Sequence, residues 1–235
     1  MKLTIDILRQ KDSASAPYRQ KIEYDALPDD TVATLLHQLN AEENLKDAEG
    51  NPVGQIHWQC SCLQKKCGAC AMRINGVPAL ACDTKLNTCE RGKLVLEPLK
   101  KFPTVRDLIV DRSLMMDNLI SIHNWLEQAA HHTGKAAELC YDASRCLQCG
   151  CCLEVCPNFM PGGDFYGAAA FVPAARILSQ LEKDHPQALA DCYQKNIYSG
   201  CGKSLSCHHI CPAGIDVEQK LSNANAAAVW KRFFK

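Results

Sequence analysis

The chain has 235 residues, 16 cysteines and equal numbers of acidic and basic side chains, 26 of each, so its formal net charge is zero. This length can bury a hydrophobic core without disulfides, and the zero charge argues against a nucleic-acid or membrane-surface role that depends on bulk charge. No apolar run approaches the length of a transmembrane helix, and the N-terminus lacks the basic start and apolar run of a signal peptide. We therefore expect a reducing compartment, where clustered cysteines are metal ligands or catalytic thiols more often than disulfides.

The N-terminal part has the patterns of a small mixed sheet with one helix. Two segments, 2–8 and 18–24, alternate apolar and polar residues as half-buried strands do. TVATLLHQLN, which follows two aspartates at 29–30, predicts a capped helix. The Asn-Gly pair at 75–76 predicts a hairpin, and KLVLEPL predicts a last strand. The apolar residues of the first two strands are Leu3, Ile5, Ile7, Tyr18, Ile22 and Tyr24.

From residue 104 the apolar period becomes helical, with Pro103 just ahead as a start signal. Three later segments, 168–183, 186–197 and 216–233, also predict helices, the last with a capping box at its start. The apolar residues of the first helical stretch are Val105, Leu108, Ile109, Met115, Met116, Leu119, Ile120 and Leu126.

The cysteines fall into two groups, at 60–89 and at 140–211, with a cysteine-free segment between them. This division agrees with the change of apolar period. We therefore expect an α+β fold with two domains, residues 1–102 and residues 103–235, of which the second is mostly helical with cysteine-rich connections.

The first group contains the plant-type two-iron spacing, C-x4-C-x2-C with a fourth cysteine twelve positions on. In this motif four thiolates hold a [2Fe-2S] cluster. Zinc is the alternative, although structural zinc ligands usually come as two close pairs. Cys60 competes with Cys62 as a ligand, but only Cys62 gives the four-residue gap. The predicted [2Fe-2S] ligands are Cys62, Cys67, Cys70 and Cys82.

The second group contains CLQCGCCLEVCP, which matches the bacterial ferredoxin run C-x2-C-x2-C-x3-C-P. The fourth cysteine of such a run ligates the other cluster of a two-cluster protein. The segment GCGKSLSCHHICP at 200–212 mirrors this run and supplies the partner cysteines. The crossed arrangement predicts a [4Fe-4S] cluster on Cys146, Cys149, Cys152 and Cys211.

The mirrored segment lacks one cysteine. The three-residue spacing places a ligand at position 204, where the chain has Ser204. The remaining thiols, Cys156, Cys201 and Cys207, therefore predict a [3Fe-4S] cluster without its fourth corner. The alternative is that the Ser204 hydroxyl ligates a fourth iron, although these clusters prefer thiolates.

Five cysteines remain outside the three sets, and we expect them to behave as small buried hydrophobes. No nucleotide, flavin or nicotinamide motif is recognisable, and no acid-base pair is evident. We therefore expect no catalytic dicarboxylate site on this chain. The five remaining cysteines are Cys60, Cys89, Cys140, Cys151 and Cys192.

In order and spacing, the chain resembles the iron-sulfur subunit of succinate dehydrogenase and fumarate reductase, through SCLQKKCGACAMRINGVPALAC, LEPLKKFPTVRDLIVDRS, CLQCGCCLEVCPN and CGKSLSCHHICP. The resemblance implies a β-grasp plant-type [2Fe-2S] ferredoxin domain and then an all-helical bacterial-type ferredoxin domain. It also implies a flavoprotein partner with covalent FAD that interconverts succinate and fumarate. Electrons would pass between that FAD and a quinone beside a membrane anchor.

CGKSLSC is similar to family members whose anchor is a dihaem cytochrome b and whose quinone is menaquinone. The resemblance thus implies haem b and menaquinone with the partners, and a peripheral position on the cytoplasmic face of the inner membrane. Ubiquinone-using members often have tryptophans and a histidine where this chain has Asn158, Phe159, Met160 and Gly202. The family usually has a glycine at the position of Lys65, so we expect a difference there in loop backbone or potential.

Two other function classes remain open from the sequence. One is the redox subunit of a soluble thiol-dependent fumarate reductase or heterodisulfide-reductase-like complex, whose chains typically add cysteine-rich C-C-G domains. The other is a free-standing ferredoxin carrier or a structural zinc protein, which metal and sulfide analysis would distinguish.

Overall fold

A computed structural model describes residues 1–126, 134–180 and 187–230 of the chain. The chain divides into two compact units, Met1–Asp111 and Arg112–Lys235. Within the described residues, the first unit contains a mixed sheet and one α-helix, and the second contains seven α-helices. The predicted mixture of a sheet-containing part and a helical part is confirmed.

The main sheet of the first unit joins five strands of both orientations. They are β1 (Lys2–Arg9), β2 (Tyr18–Asp25), β3 (Ala71–Ile74), β4 (Val77–Leu80) and β5 (Lys93–Glu97). Their spatial order is β2-β1-β5-β3-β4. The β1 strand pairs antiparallel with β2 and parallel with β5, while β3 pairs antiparallel with both β4 and β5.

The predicted strand alternation is confirmed in β1 and only partly confirmed in β2. In β1 the three predicted apolar residues are fully buried, and in β2 Ile22 is fully buried. Tyr18, however, is 52% exposed, so its prediction as a buried residue is wrong. Tyr18 is the first residue of its strand, and Gln20 is the buried residue on that side because its carboxamide oxygen accepts a hydrogen bond from Arg9 at 2.7 Å.

The predicted hairpin is present between β3 and β4. Asn75 has φ of 49° and Gly76 has φ of 83°, so both central residues of the turn are left-handed. A two-residue turn with this backbone matches the right-handed twist of the flanking strands, and Asn-Gly is the pair that adopts it at least cost.

The predicted N-terminal helix is α1 (Val32–Ala41), but its cap differs from the expectation. Thr31 caps the helix, because its hydroxyl accepts a hydrogen bond from the Thr34 backbone N–H at 3.1 Å. The preceding Asp30 instead accepts a hydrogen bond from the Gln38 side chain at 3.1 Å. Both Thr and Asp can cap a helix. Thr31 is the cap here because it immediately precedes the first helical residue, Val32.

Of the helical stretch predicted from residue 104 to Leu126, only Ser113–Ser121 is helical, and the prediction is wrong for the residues before and after it. Two short antiparallel strands, β6 (Thr104–Arg106) and β7 (Ile109–Val110), occupy its first residues. The turn between them contains Asp107 at φ 45°. Its carboxylate accepts hydrogen bonds from the Arg9 side chain and from the His57 backbone N–H at 3.0 and 2.9 Å. These contacts, distant in sequence, override the local helical pattern. They also explain why the first unit extends past the predicted domain boundary after residue 102.

The described part of the second unit is packed around one central helix. Its helices are α2 (Ser113–Ser121), α3 (Gly134–Ser144), α4 (Cys151–Glu154), α5 (Ala168–Gln180), α6 (Gln187–Tyr193), α7 (Ser206–His209) and α8 (Val217–Asn225). The α5 helix contacts α2, α3, α4, α6 and α8. Its buried residues include Phe171, Ala174 and Leu178, so α5 supplies the centre of the hydrophobic core.

Three later helices of the sequence analysis are confirmed in the described residues. π-helical turns follow two of them, Gln194–Tyr198 after α6 and Ala226–Trp230 after α8. The predicted cap of α8 is present, because the Gln219 backbone N–H donates to the Asp216 carboxylate at 2.9 Å. The predicted helical residues 181–183, 186 and 231–233 lie outside the described part. Within that part, no helix is long and apolar enough to cross a bilayer.

Candidate functional site

The first cysteine group lies on a loop with an unusual backbone. We call residues 60–70 the cysteine loop; it precedes β3. Three of its residues have left-handed backbones: Leu63 at φ 53°, Lys65 at 59° and Gly68 at 73°. Such residues reverse the chain direction locally, so that successive backbone N–H groups can point into one concavity, an arrangement that binds anionic groups.

The N–H groups of the cysteine loop are directed at sulfur atoms. Gln64 and Lys66 donate from the backbone to Cys62 Sγ at 3.4 and 3.2 Å, and Lys65 donates to Cys82 Sγ at 3.3 Å. The hydrogen bonds from Gln64 and Lys66 lower the pKa of Cys62 to about 7. The loop therefore stabilises negative charge on these sulfurs.

The four predicted [2Fe-2S] ligands are brought together. Cys70 Sγ and Cys82 Sγ are 3.4 Å apart, since the hairpin of β3 and β4 returns Cys82 to the start of β3. Cys67 hydrogen-bonds to Cys62 through its side chain. Burial raises the pKa of Cys70 to about 12, so this thiol ionises only when a cation compensates for the lost solvent.

Lys65, for which the resemblance implies a glycine, has a left-handed backbone. Its ammonium lies 2.7 Å from the Asp83 carboxylate, and both side chains are 43% exposed. A non-glycine residue in this conformation costs about 1–2 kcal/mol, and an exposed ion pair recovers at most about 1 kcal/mol. Lys65 is therefore held in a backbone region that favours glycine, and the expected difference in loop backbone or potential stays a prediction.

The second cysteine group lines a cavity formed where α3 ends and α4 begins. We call it the four-cysteine cavity. It is lined by all four predicted [4Fe-4S] ligands, which come from two distant segments, 146–152 and 211. The lining residues are Cys146, Leu147, Gln148, Cys149, Gly150, Cys152, Ala169, Cys211, Pro212 and Ala213.

In the four-cysteine cavity, burial raises the pKa of the thiols, whereas nearby hydrogen-bond donors lower it. Burial raises the pKa of Cys146 and raises that of Cys152 strongly. The hydrogen bond from the Cys151 thiol lowers the pKa of Cys149 to about 7, with a further contribution from the Arg112 guanidinium. Arg112 also donates to the Cys149 carbonyl at 3.1 Å, which holds its charge beside this ligand.

A second cavity gathers the remaining predicted ligands, and we call it the three-cysteine cavity. Cys156, Cys201 and Cys207 line it together with Ser204. Ser204 stands between two left-handed residues, Lys203 and Leu205, and its hydroxyl accepts a hydrogen bond from Ser206 at 3.4 Å. The position that spacing assigns to a fourth thiol therefore lies on the cavity wall and holds a hydroxyl. Burial raises the pKa of Cys207 to about 11.

Three residues that the sequence analysis did not assign to a cluster site also shape these cavities. Asn158 donates to the Gly200 carbonyl at 2.7 Å and so joins the segment after Cys156 to the segment before Cys201. Gln148 and Arg112 direct donors at the four-cysteine cavity. Gln148 lies inside the C-x2-C motif and could have been suspected from its position, whereas nothing in the sequence connects Arg112 or Asn158 with its partner.

The five cysteines outside the predicted sets differ in environment. Cys89, Cys140 and Cys151 are buried, in agreement with the expectation, and Cys192 is half-buried. Cys60 is exposed, so the expectation of burial is wrong for it. As the first residue of the cysteine loop it precedes the turn that encloses the sulfurs.

The donor set fits iron-sulfur clusters. The two cavities gather four and three thiols from separate segments of the chain, and thiolates are the ligands that hold iron-sulfur clusters. In the cysteine loop, backbone N–H groups donate to the sulfurs of Cys62 and Cys82. Buried thiols around a cavity require a cation to ionise, and cluster iron supplies it.

Two family models match the chain. A 2Fe-2S iron-sulfur cluster binding domain matches residues 4–117, and a 4Fe-4S dicluster domain matches residues 142–215. Together they cover every cysteine of the two groups except Cys140, each with the kind of cluster domain that its spacing predicts.

Known proteins match the chain over nearly its whole length. The succinate dehydrogenase iron-sulfur subunit of Bacillus subtilis is 31% identical over 234 residues, which cover 93% of this chain and 89% of that protein. The fumarate reductase iron-sulfur subunit of Wolinella succinogenes is 25% identical over 237 residues, 94% of each chain. A chain of the Mycobacterium smegmatis Sdh1 complex in the apo form has the same fold, with a TM-score of 0.78, 19% identity and coverage of 100% of this chain and 98% of its own.

The full-length match, the two cluster domains and the cysteine arrangement agree with one another. The chain belongs to the family of iron-sulfur electron-transfer subunits of succinate dehydrogenase and fumarate reductase.

Proposed function

We propose that the chain conducts electrons between the FAD of a flavoprotein subunit and a membrane quinone through three iron-sulfur centres. The ligand sets are those expected from the sequence. Cys62, Cys67, Cys70 and Cys82 hold a [2Fe-2S] cluster, Cys146, Cys149, Cys152 and Cys211 hold a [4Fe-4S] cluster, and Cys156, Cys201 and Cys207 hold a [3Fe-4S] cluster. Each bound cluster exchanges single electrons, at a potential set by its type, charge, hydrogen bonds and solvent exposure.

The observation that carries the proposal is the composition of the three-cysteine cavity. Three thiols and the Ser204 hydroxyl line it. A site with one thiolate fewer than a [4Fe-4S] cluster requires supports the three-iron form, because these clusters prefer thiolates to hydroxyl ligands. Such a centre typically has a higher potential than an adjacent four-iron centre, which suits the last step towards a quinone.

The protein surroundings support this assignment of the other two sites. The cysteine loop directs three backbone N–H groups at Cys62 and Cys82, which stabilises thiolate ligands without any further cofactor. The four-cysteine cavity joins one cysteine from the mirrored segment to three from the first run. That pairing supports the crossed ligation of two-cluster ferredoxins.

The relatives support the remaining parts of the proposal. Proteins named as succinate dehydrogenase and fumarate reductase iron-sulfur subunits match nearly end to end. By that relationship the first unit, Met1–Asp111, contains a β-grasp ferredoxin domain, and the second, Arg112–Lys235, contains a helical ferredoxin domain. The partners are an FAD-containing flavoprotein and a dihaem cytochrome b anchor, with menaquinone at the cytoplasmic face of the membrane. The soluble thiol-dependent alternative is not favoured by these matches.

Electron paramagnetic resonance of the purified complex tests the proposal. The oxidised complex should show a signal from the three-iron centre, and mild reduction should remove this signal before the two-iron signal appears. In Ser204→Cys the added thiol should complete a four-iron centre, so the signal of the oxidised protein should disappear. Zinc without sulfide, or an oxidised wild type without any signal, would refute the three-centre assignment.

A further inference from the structure

Gln148 directs a side-chain hydrogen-bond donor at one sulfur of the four-cysteine cavity. Its Nε2 lies 3.3 Å from Cys146 Sγ. The residue has a left-handed backbone, with φ of 48°. A glutamine in this conformation is uncommon, and here its side chain reaches the sulfur of the cysteine two positions before it.

The position of this side-chain amide is determined by helix α5. Nε2 also donates to the Ala169 carbonyl at 3.0 Å. In an α-helix this carbonyl would accept from the N–H of the residue four positions on, but that residue is Pro173, which has no N–H. The carbonyl that Pro173 leaves open in this way binds Gln148, and the second N–H of the same amide group then faces Cys146.

The amide oxygen of Gln148, Oε1, agrees with this orientation of the side chain. Gln148 Oε1 is buried and has no hydrogen-bond partner among the described residues. Buried acceptors are nearly always paired, so an unpaired one requires an explanation. Rotating the amide would place Oε1 against the Ala169 carbonyl and the Cys146 sulfur, which are both acceptors. The observed orientation keeps both donors on their acceptors and leaves Oε1 unpaired.

We propose that Gln148 is a positioning residue that raises the reduction potential of the four-iron site through Cys146. The inference rests on the proposed assignment of Cys146 as a [4Fe-4S] ligand. A donor on a ligand sulfur stabilises the more negative, reduced form of the cluster, so reduction becomes easier. Because Ala169 holds the amide in place, the donor is already oriented before the electron arrives.

A redox titration of the purified complex, followed by electron paramagnetic resonance, tests this role. Gln148→Leu removes the side-chain donor and keeps a similar volume. The four-iron signal should then appear only at a more negative potential, while the two-iron and three-iron signals titrate as in wild type. Gln194→Leu makes the same chemical change at an exposed position and should leave all three titrations unchanged.

The thermal unfolding of the same variants separates this role from a structural one. Gln148→Leu removes the unpaired Oε1 and also the donor to the Ala169 carbonyl, so we expect a small fall in unfolding temperature, whereas a merely structural role would leave the four-iron potential unchanged. An unchanged four-iron potential in Gln148→Leu would overturn the inference. If Gln148→Leu does not bind the four-iron cluster, Gln148→Met is titrated in its place. Loss of the cluster in both variants would overturn the inference, because Gln148 would then be required for cluster assembly. A wild-type complex without a four-iron signal would instead refute the ligand assignment and the proposed function.

Discussion

The Lys220 ammonium lies 2.9 Å from the Asp142 carboxylate although Lys220 is only 2% exposed, and this ion pair joins α8 to α3. Asp142 also binds Arg145 at 3.0 Å, and Arg145 donates to the Ala213 carbonyl. Arg145 immediately precedes Cys146, and Ala213 closely follows Cys211. The network therefore holds together the two chain segments that supply the four-cysteine cavity.

Loss of Asp142 should cost more stability than loss of Lys220. Asp142→Asn leaves a buried ammonium without its carboxylate, which costs about 3 kcal/mol or more. Lys220→Met replaces the ammonium by an apolar side chain of similar length, and the Asp142 carboxylate keeps Arg145. Urea unfolding of both variants measures the difference, and the double variant should recover most of the loss. Equal losses in the two single variants would contradict this account.

Cys62, and not Cys60, should be required for the two-iron signal. Cys62 Sγ accepts two backbone hydrogen bonds within the cysteine loop, whereas Cys60 is exposed ahead of it. We expect Cys62→Ser to lose or strongly alter the two-iron resonance of the reduced complex, and Cys60→Ser to retain it. The opposite result would assign the ligand to Cys60 and the spacing argument would fail.

Gly200→Ala should disturb the three-cysteine cavity. A Cβ atom at Gly200 would lie 2.6 Å from Phe165 Cδ2 and 2.7 Å from Phe165 Cβ, closer than van der Waals contact allows. Overpacking of this kind costs about 1–3 kcal/mol, and the neighbouring Cys201 would shift with it. We expect a lower unfolding temperature and less three-iron signal per protein.

Two further variants test the steric cause of this effect. In a Phe165→Gly background, Gly200→Ala should cost little, because Phe165→Gly removes the Cβ, Cγ and Cδ2 atoms that the new methyl group would meet. Gly54→Ala is the matched control, since a Cβ atom there meets nothing within 4 Å. A defect of Gly200→Ala that is equally large in the Phe165→Gly background would point to the backbone and not to this contact.

Stability should fall in acid through Asp107. Burial raises the pKa of this carboxyl, but hydrogen bonds from Arg9 and from the His57 and Gln10 backbone outweigh burial, and the net pKa is lowered. The stabilisation is therefore complete above the unfolded pKa of about 3.9 and is lost as the pH falls through the lower folded pKa.

The Asp107→Asn variant isolates this contribution. At pH 7 it leaves Arg9, which is 5% exposed, without its carboxylate and should cost about 3 kcal/mol. Urea unfolding at a series of pH values should show the wild type and the variant converging below about pH 4. A difference that stays constant into acid would mean that the carboxylate charge is not the cause.

The features predicted correctly from the sequence depend on residues close together in the chain. The alternation in β1, the Asn-Gly turn and the cap of α8 each involve neighbours within a few positions, where backbone geometry leaves few solutions. Cysteine spacing is local within each run, but each cavity joins cysteines from two distant segments. The sequence predicted which thiols share each cavity only together with the crossed ligation of two-cluster ferredoxins.

Tertiary structure decided what depends on contacts between distant residues. The stretch from 104 to 110 has a helical period, yet it forms two strands because Asp107 binds Arg9, 98 positions away. Arg9 lies on the same face of β1 as the buried apolar residues. The strand alternation therefore indicates that Arg9 is buried, but it does not identify the partner of its charge. The same holds for Gln148, whose amide is oriented by a carbonyl that Pro173 leaves open in α5. The cysteine motifs thus predicted which thiols line each cavity, while packing determined the hydrogen-bond donors around them, since partners far apart in sequence meet only in the folded chain.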